Sequence, residues 1–296
     1  MLSLDHLAAL DLTIWLRSGE EAAQRLDRTQ SNISRRLHRA LDLFHLQLRL
    51  VDQDWEVIGA DDWLQLLAME RHLHQQARWA GLAPLRIKGT YWSGPLLLEP
   101  EPAGWIGGGH FGVGIQRPLL LLKQRVIDAW LAGGPDWPEA GDPEFAVLPL
   151  CSMPIHAVVA PDHPLLKQLQ RQGELSWSEV AAFPSLALPR GAYPKVEAAL
   201  QAIGLWSSPS PMRRYRRDRW EGQSEQALVV AYATVLSEQV AGALVRLPLT
   251  LPVSSGEALV VRRDWGDQPR LLALAALLRR RLEPWAQRYP ELEICP

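Results

Sequence analysis

The chain has 296 residues, 47% of them hydrophobic and 22% charged, with a formal net charge of −2. That length exceeds one ordinary core and points to two or three globular domains. No stretch approaches the roughly 18 consecutive apolar residues of a membrane span, and the near-neutral charge excludes a generally sticky nucleic-acid binder while leaving room for a local basic face.

Residues 1–19 are interrupted by Asp5, His6 and Asp11 and lack a basic start and a small-residue cleavage site. A signal peptide is therefore not expected. Leu4, Leu7, Leu10 and Ile14 fit a helix with one buried face. Ser18-Gly19 ends it, and a short helix follows from about Glu20 to Leu26. After the turn at 27–29, Thr29 is placed to cap a further helix.

The segment RTQSNISRRLHRAL, residues 28–41, concentrates four arginines and a histidine. Ile33, Leu37, Leu41 and Phe44 make its apolar stripe, to be packed on the first two helices. Ser31, Asn32, Arg35 and Arg39 fall on the opposite face, with Gln30 at the exposed N-terminal end. Two short helices joined by a tight turn, the second polar and basic outward, describe a helix-turn-helix whose second helix enters the major groove. Arginine can bridge guanine O6 and N7, and Gln or Asn can pair with adenine. The plainer alternative is an arginine-studded surface helix.

Residues 62–79 place Trp63, Leu66, Leu67, Leu73 and Ala77 on one side of a helix that needs a partner. Residues 81–85, GLAPL, read as a hinge. From Leu85 onward short strands (LRIKG, EFAVLPL, IHAVVA, SLALP, EALVVR) alternate with helical segments (LLKQRVIDAWL, SWSEVAAF, YPKVEAALQAIG, QSEQALVVAYATVL and the C-terminal run from Gln268). That alternation predicts an α/β fold with largely parallel sheets. Ligands of such folds sit beyond the strand carboxyl ends. The candidate loops are TYWSG (90–94), PRGAYP (189–194) and VAYATVL (230–236). Thr90 and Ser93 could hydrogen-bond a polar effector, Tyr91 and Trp92 lie beside them, and Arg190 could pair with an anion.

Other signals weigh less. GGGHFG (107–112) fits the spacing of a dinucleotide fingerprint but runs toward Pro118, and it reads as a turn-rich loop. The eight histidines show no HExxH, so no metal site is expected. No GxSxG is present, and no catalytic residue or cofactor is assigned. Cys151 and Cys295 form no CxxC, which suits a reducing cytoplasm. MRRYRRDRW (212–220) is a second basic cluster, read as a solvated segment whose arginine stems cover apolar surface.

The stretch SGEEAAQRLDRTQSNISRRLHRAL resembles the winged helix-turn-helix of the LysR-type transcriptional regulators, through Ala22, Ala23 and Leu26 and then Gln30, Ile33, Ser34, Arg35 and Leu37. Residues 46–50 resemble the strand entering the wing, 62–79 the linker helix, 85–90 the first effector strand, 158–165 and 175–189 the second effector subdomain, and 242–249 with 257–265 its return. The resemblance implies a winged helix-turn-helix domain at 1–60, a linker and dimerisation helix at 61–80, and an effector-binding domain at 81–296. Subdomain I would hold 85–152 and 248–296, and subdomain II 153–247, both Rossmann-like in the manner of periplasmic binding proteins. It further implies double-stranded DNA and a small-molecule effector as partners, a homodimer or homotetramer, no membrane, no enzymatic activity and a cytoplasmic location. The DNA contacts would be Arg28, Thr29, Gln30, Ser31, Asn32, Ser34, Arg35 and Arg39. The wing segment carries Asp52, Asp54, Glu56, Asp61 and Asp62, which would repel phosphate. A regulator of this ancestry that has lost DNA contact is therefore the alternative, and an α/β enzyme with an unusual nucleotide loop is a more distant one.

Overall fold

The computed structural model describes residues 3–51, 54–110, 112–185, 188–206, 228–240 and 242–296. The basic cluster at 212–220, Asp52 and Phe111 lie outside them. Packing divides the chain into two compact units. The first holds Met1–Lys88, Pro100–Gly109 and Pro118–Trp130, and the second Gly89–Glu99, His110–Arg117 and Leu131–Pro296.

The first unit opens with three helices: α1 (Leu4–Leu16), α2 (Gly19–Arg25) and α3 (Gln30–Leu43). Thr29 caps α3 as its sequence predicts, its side chain accepting from the Asn32 backbone N–H at 3.3 Å. Ser18 caps α2 by accepting from Glu21 N–H at 3.2 Å. Ile33, Leu37, Ala40 and Leu41 are the buried side of α3. A hairpin follows, β1 (Gln47–Val51) antiparallel to β2 (Asp54–Ile58), and then the helix α4 (Asp61–Trp79). The parallel strands β3 (Leu85–Lys88) and β4 (Trp105–Gly108) pair in register from Leu85↔Trp105 to Lys88↔Gly108. The start of β5 (Ala129–Gly133) adds to β3 on its other side.

One helix departs from expectation. α1 is buried from Ala9 to Leu16 on every face, where the leucine spacing predicts a single buried stripe. The glycine run explains part of this. Gly108 and Gly109 adopt φ of 155° and 64°, and a Cβ on them would lie 2.8 Å from Leu16 and 2.9 Å from Trp15. These glycines permit α1 to approach the chain closely. Gly107 and Gly108 close β4, so the run is not wholly a loop, and α6 (Gln116–Lys123) begins seven residues after Gly109.

The second unit is built on two long antiparallel strands, β6 (Phe145–Val159) and β8 (Val245–Arg262), with β7 (Ala231–Ala233) and β9 (Glu293–Ile294) also on β6. The segments EFAVLPL and IHAVVA are thus one strand, bent by register shifts at 149/151, 154/156 and 156/158. Helices α7 (Pro164–Gln172), α8 (Trp177–Val180) and α9 (Pro194–Ala202) supply Leu165, Val180 and Leu200 to a core with Ile155, Val159 and Leu247. The last helix, α10, spans Pro269–Arg288. The first crossover helix, α5 (Gly94–Leu97), is reduced to a single turn in the Pro- and Trp-rich stretch.

Two helical expectations are corrected. LLKQRVIDAWL splits, because Arg125 turns left-handed at φ 60° and ends α6, and the buried β-branched pair Val126-Ile127 leads into β5. Within QSEQALVVAYATVL the described part is extended, since Val229-Val230 and Tyr232 favour a strand and β6 offers an open edge. SLALP contributes an isolated bridge, Ser185 to Val230. Among the described residues no helix is long and apolar enough to cross a membrane.

Candidate functional site

Two features stand out chemically, one in each unit. The first is the outward face of α3. Arg28, Thr29, Gln30, Ser31, Ser34, Arg35 and Arg39 are exposed and Asn32 is half-buried. They form one polar and basic surface because the 3.6-residue period sends Ile33, Leu37, Ala40 and Leu41 inward. Arg36, one residue aside, is tied to Asp5 at 2.6 Å, so within α3 itself the outward arginines are Arg35 and Arg39. The wing is less acidic than its sequence suggests. Asp54 pairs with Arg17 at 2.6 Å, and Arg49 stands across the hairpin from Glu56.

Behind α3 lies a buried ionic network that the sequence reading missed. Arg71 of α4 donates through Nε to Asp11 Oδ1 of α1 at 2.9 Å. Arg86 of β3 reaches Asp11 Oδ2 at 3.4 Å and the Val126 carbonyl at 2.9 Å. Asp128 accepts from Arg78 at 2.7 and 2.8 Å, from Gln75 at 3.0 Å and from the Arg86 backbone N–H at 2.9 Å. Burial, and then the neighbouring Arg78, push the Arg86 guanidinium down to about 10, so it stays charged at neutral pH. For Arg78 the carboxylate of Asp128 outweighs the opposing effect of burial, and its pKa is raised. The readable signal was the i, i+4, i+7 row of Arg71, Gln75 and Arg78, with an aspartate set among the leucines of α1.

The second feature is a cavity of about 120 Å³ in the second unit. Trp92 enters it from the TYWSG loop, Gly133 and Gly134 from the end of β5, and Ile155 from β6. Leu188, Tyr193 and Val196 come from the loop before α9 and its first turn. Trp206, Tyr232, Ala233, Thr234 and Ser237 also line it, as do Ser255 and Glu257 of β8. Asp136 holds α9 in place, accepting from the Lys195 and Val196 backbone N–H groups at 2.7 and 3.2 Å. The buried Tyr193 hydroxyl accepts from Trp92 and from the Gly114 backbone, and burial raises its pKa. Glu257 is 3% exposed, and its Oε2 accepts from Ser93 Oγ at 2.7 Å. Burial pushes its carboxyl up to about 8.

Of the effector residues expected from sequence, only Trp92 lines this cavity. Thr90 and Ser93 are buried one step behind it, bonded to each other at 2.8 Å and, through Ser93, to Glu257. Tyr91 is buried with its ring edge-on to Trp92. Arg190 is exposed and is not among the lining residues. Tyr193 belongs to the candidate loop PRGAYP without having been singled out, and Glu257 and Trp206 escaped the sequence reading. A lone carboxylate at the start of the apolar run ALVV was the available signal for Glu257.

A family model for the LysR substrate binding domain matches residues 113–283, more than half of the chain. The chain belongs to the LysR family of transcriptional regulators. The likeness in fold runs over nearly the whole length of solved LysR proteins. Full-length OxyR from Pseudomonas aeruginosa superposes with a TM-score of 0.56 at 16% identity, covering 94% of this chain and 98% of that one. OxyR from Corynebacterium glutamicum gives 0.52 at 16%, covering 97% and 94%. Full-length BenM gives 0.51 at 17%, covering 99% of each. No curated protein sequence matches the chain. Gly108 and Gly109 of the glycine run are packed against Leu16 and Trp15 of α1.

Proposed function

We propose that this LysR-type regulator reads double-stranded DNA with the outward face of α3 and senses a small molecule in the cavity beside Glu257. The observation that carries the first part is the exposed polar row from Gln30 to Arg39 on a helix capped by Thr29 and backed by α1 and α2, with Arg28 exposed just before it. Gln30 and Arg35 are the base-reading candidates, and Arg28, Thr29, Ser31, Asn32, Ser34 and Arg39 serve positioning and phosphate contact. The domain division is 1–60, 61–80 and 81–296, with 85–152 plus 248–296 as one effector subdomain and 153–247 as the other. The unbroken course of β6 and β8 through both internal boundaries supports them as the two crossing segments.

The subunits pair through α4. Its exposed apolar residues are Leu66, Met69 and Leu73, at 44%, 67% and 46%. This trims the stripe drawn from sequence. Leu67 is buried within the chain and Trp63 packs edge-on to His45. The protein acts in the cytoplasm as a non-enzymatic switch. An effector changes DNA affinity only by binding the two states of the protein unequally. Electrophoretic mobility shift with the DNA upstream of the neighbouring genes tests the reading. A shifted band that is lost in Arg35→Ala supports it, and no band at micromolar protein overturns it.

A further inference from the structure

Among its described lining residues the cavity holds one carboxyl, Glu257, and no lysine or arginine. An anion placed there would meet an acidic group with no countercharge, which low-dielectric surroundings make expensive. A cation meets the opposite. Four aromatic side chains, Trp92, Tyr193, Trp206 and Tyr232, turn toward the same space, with Trp206 and Tyr232 edge-to-face at 6.4 Å between centroids. Ring faces carry negative potential and attract ammonium groups. Ser93 engages Oε2 of Glu257, so Oε1 remains for a ligand. The volume of about 120 Å³ suits a body of roughly one small ring.

From these observations, and resting on the effector role proposed above, we infer that the cavity selects a small organic amine. Its ammonium nitrogen lies on Glu257, and its apolar body lies against Trp92, Tyr193, Trp206 and Tyr232. The ammonium also explains how a buried carboxyl is tolerated. In the empty cavity Glu257 is largely protonated at neutral pH, and a cation in contact draws it back to the carboxylate.

The test uses the full chain and three probes of one shape: benzylamine, benzyl alcohol and benzoate. Calorimetric titrations are run on the wild type, Glu257→Gln and Gly133→Leu. Gln reproduces the shape of the protonated Glu257. Gly133 lines the cavity and a Cβ on it meets nothing within 4 Å, so a side chain can be started there, with leucine as the larger blocking variant and Gly133→Val as the smaller. We expect benzylamine to bind the wild type at least tenfold more tightly than benzyl alcohol, with benzoate weakest. Glu257→Gln should erase that preference while keeping alcohol binding, and the blocking variants should lose all three. If the alcohol or benzoate equals or beats the amine, and the Gly133 variants still block, the amine inference is overturned and the cavity reading stands. If no probe binds, or binding survives in both blocking variants, the cavity reading falls and the inference with it.

Discussion

Arg71 and Asp11, sixty positions apart in sequence, meet at 2.9 Å with neither side chain reaching solvent. The pair ties α4 to α1, and Arg86 extends the tie to β3. Buried ion pairs are costly to half-remove, because the surviving charge loses its partner without regaining water. Asp11→Ala leaves Arg71 and Arg86 facing each other. We expect a loss of about 3–5 kcal/mol in chemical denaturation. Restoring neutrality at Arg71 with methionine in the double variant should recover part of it. A strictly additive double variant would show that the two residues are not coupled.

The cavity carboxyl sets a pH dependence of the opposite sense to most acidic residues. Its folded pKa of about 8 lies above the ordinary 4.5, so the folded state holds a proton that the unfolded chain releases. The stability this confers is complete below about pH 4 and drains away as pH rises through 8. Glu257→Gln removes the effect. The difference between wild type and variant should grow between pH 5 and 9 by an amount on the order of 4 kcal/mol, in favour of the variant. Parallel stability curves would show that Glu257 ionises in the folded state as freely as in water.

Leu66, Met69 and Leu73 line one exposed side of α4. Replacing Leu66 and Met69 with glutamate introduces like charge where apolar surfaces should meet. Sedimentation velocity at micromolar concentration should show a dimer or larger species for the wild type and a monomer for the variant. A wild-type monomer would contradict the assignment of α4 as the subunit contact.

The N-terminal helices were legible because their signals are local: a capping threonine, a turn, and apolar residues at steps of three and four. The linker helix was legible from its apolar spacing, and the wing through the resemblance. The cavity was legible only in part: the strand-end loops TYWSG, PRGAYP and VAYATVL supply Trp92, Tyr193 and Tyr232, while Trp206 and Glu257 come from distant segments that no periodicity marks. Thr90 and Ser93 were placed in the right neighbourhood but one layer too shallow, since a hydroxyl facing a ligand and one bracing a buried carboxyl look alike in sequence. The strand at 231–233 was read as helix because alternating small and apolar residues satisfy both periods over so short a run. Arg71, Gln75 and Arg78 share one face of α4, and their partners Asp11 and Asp128 come from distant segments that the helix pattern alone does not name.

The wing modifies the electrostatics of DNA binding less than its composition implies. Log affinity should fall with log salt by about 0.9 per phosphate contacted, and a slope on the order of three to five is expected for a dimer. Because Asp54 is already paired with Arg17, Asp54→Asn frees that arginine and should raise affinity for specific and random DNA alike. A slope near ten, or no gain in the variant, would place the wing away from the duplex or reveal phosphate contacts from elsewhere.

The central claim is that α3 reads DNA, and fluorescence anisotropy on a labelled operator fragment tests it most directly. Wild type, Gln30→Ala and Arg35→Ala are titrated at one fixed salt concentration, against the operator and against random sequence. If Arg35 bridges a base, Arg35→Ala should weaken operator binding by about 1–3 kcal/mol and narrow the gap to random DNA. Unchanged operator affinity in both variants would contradict the account.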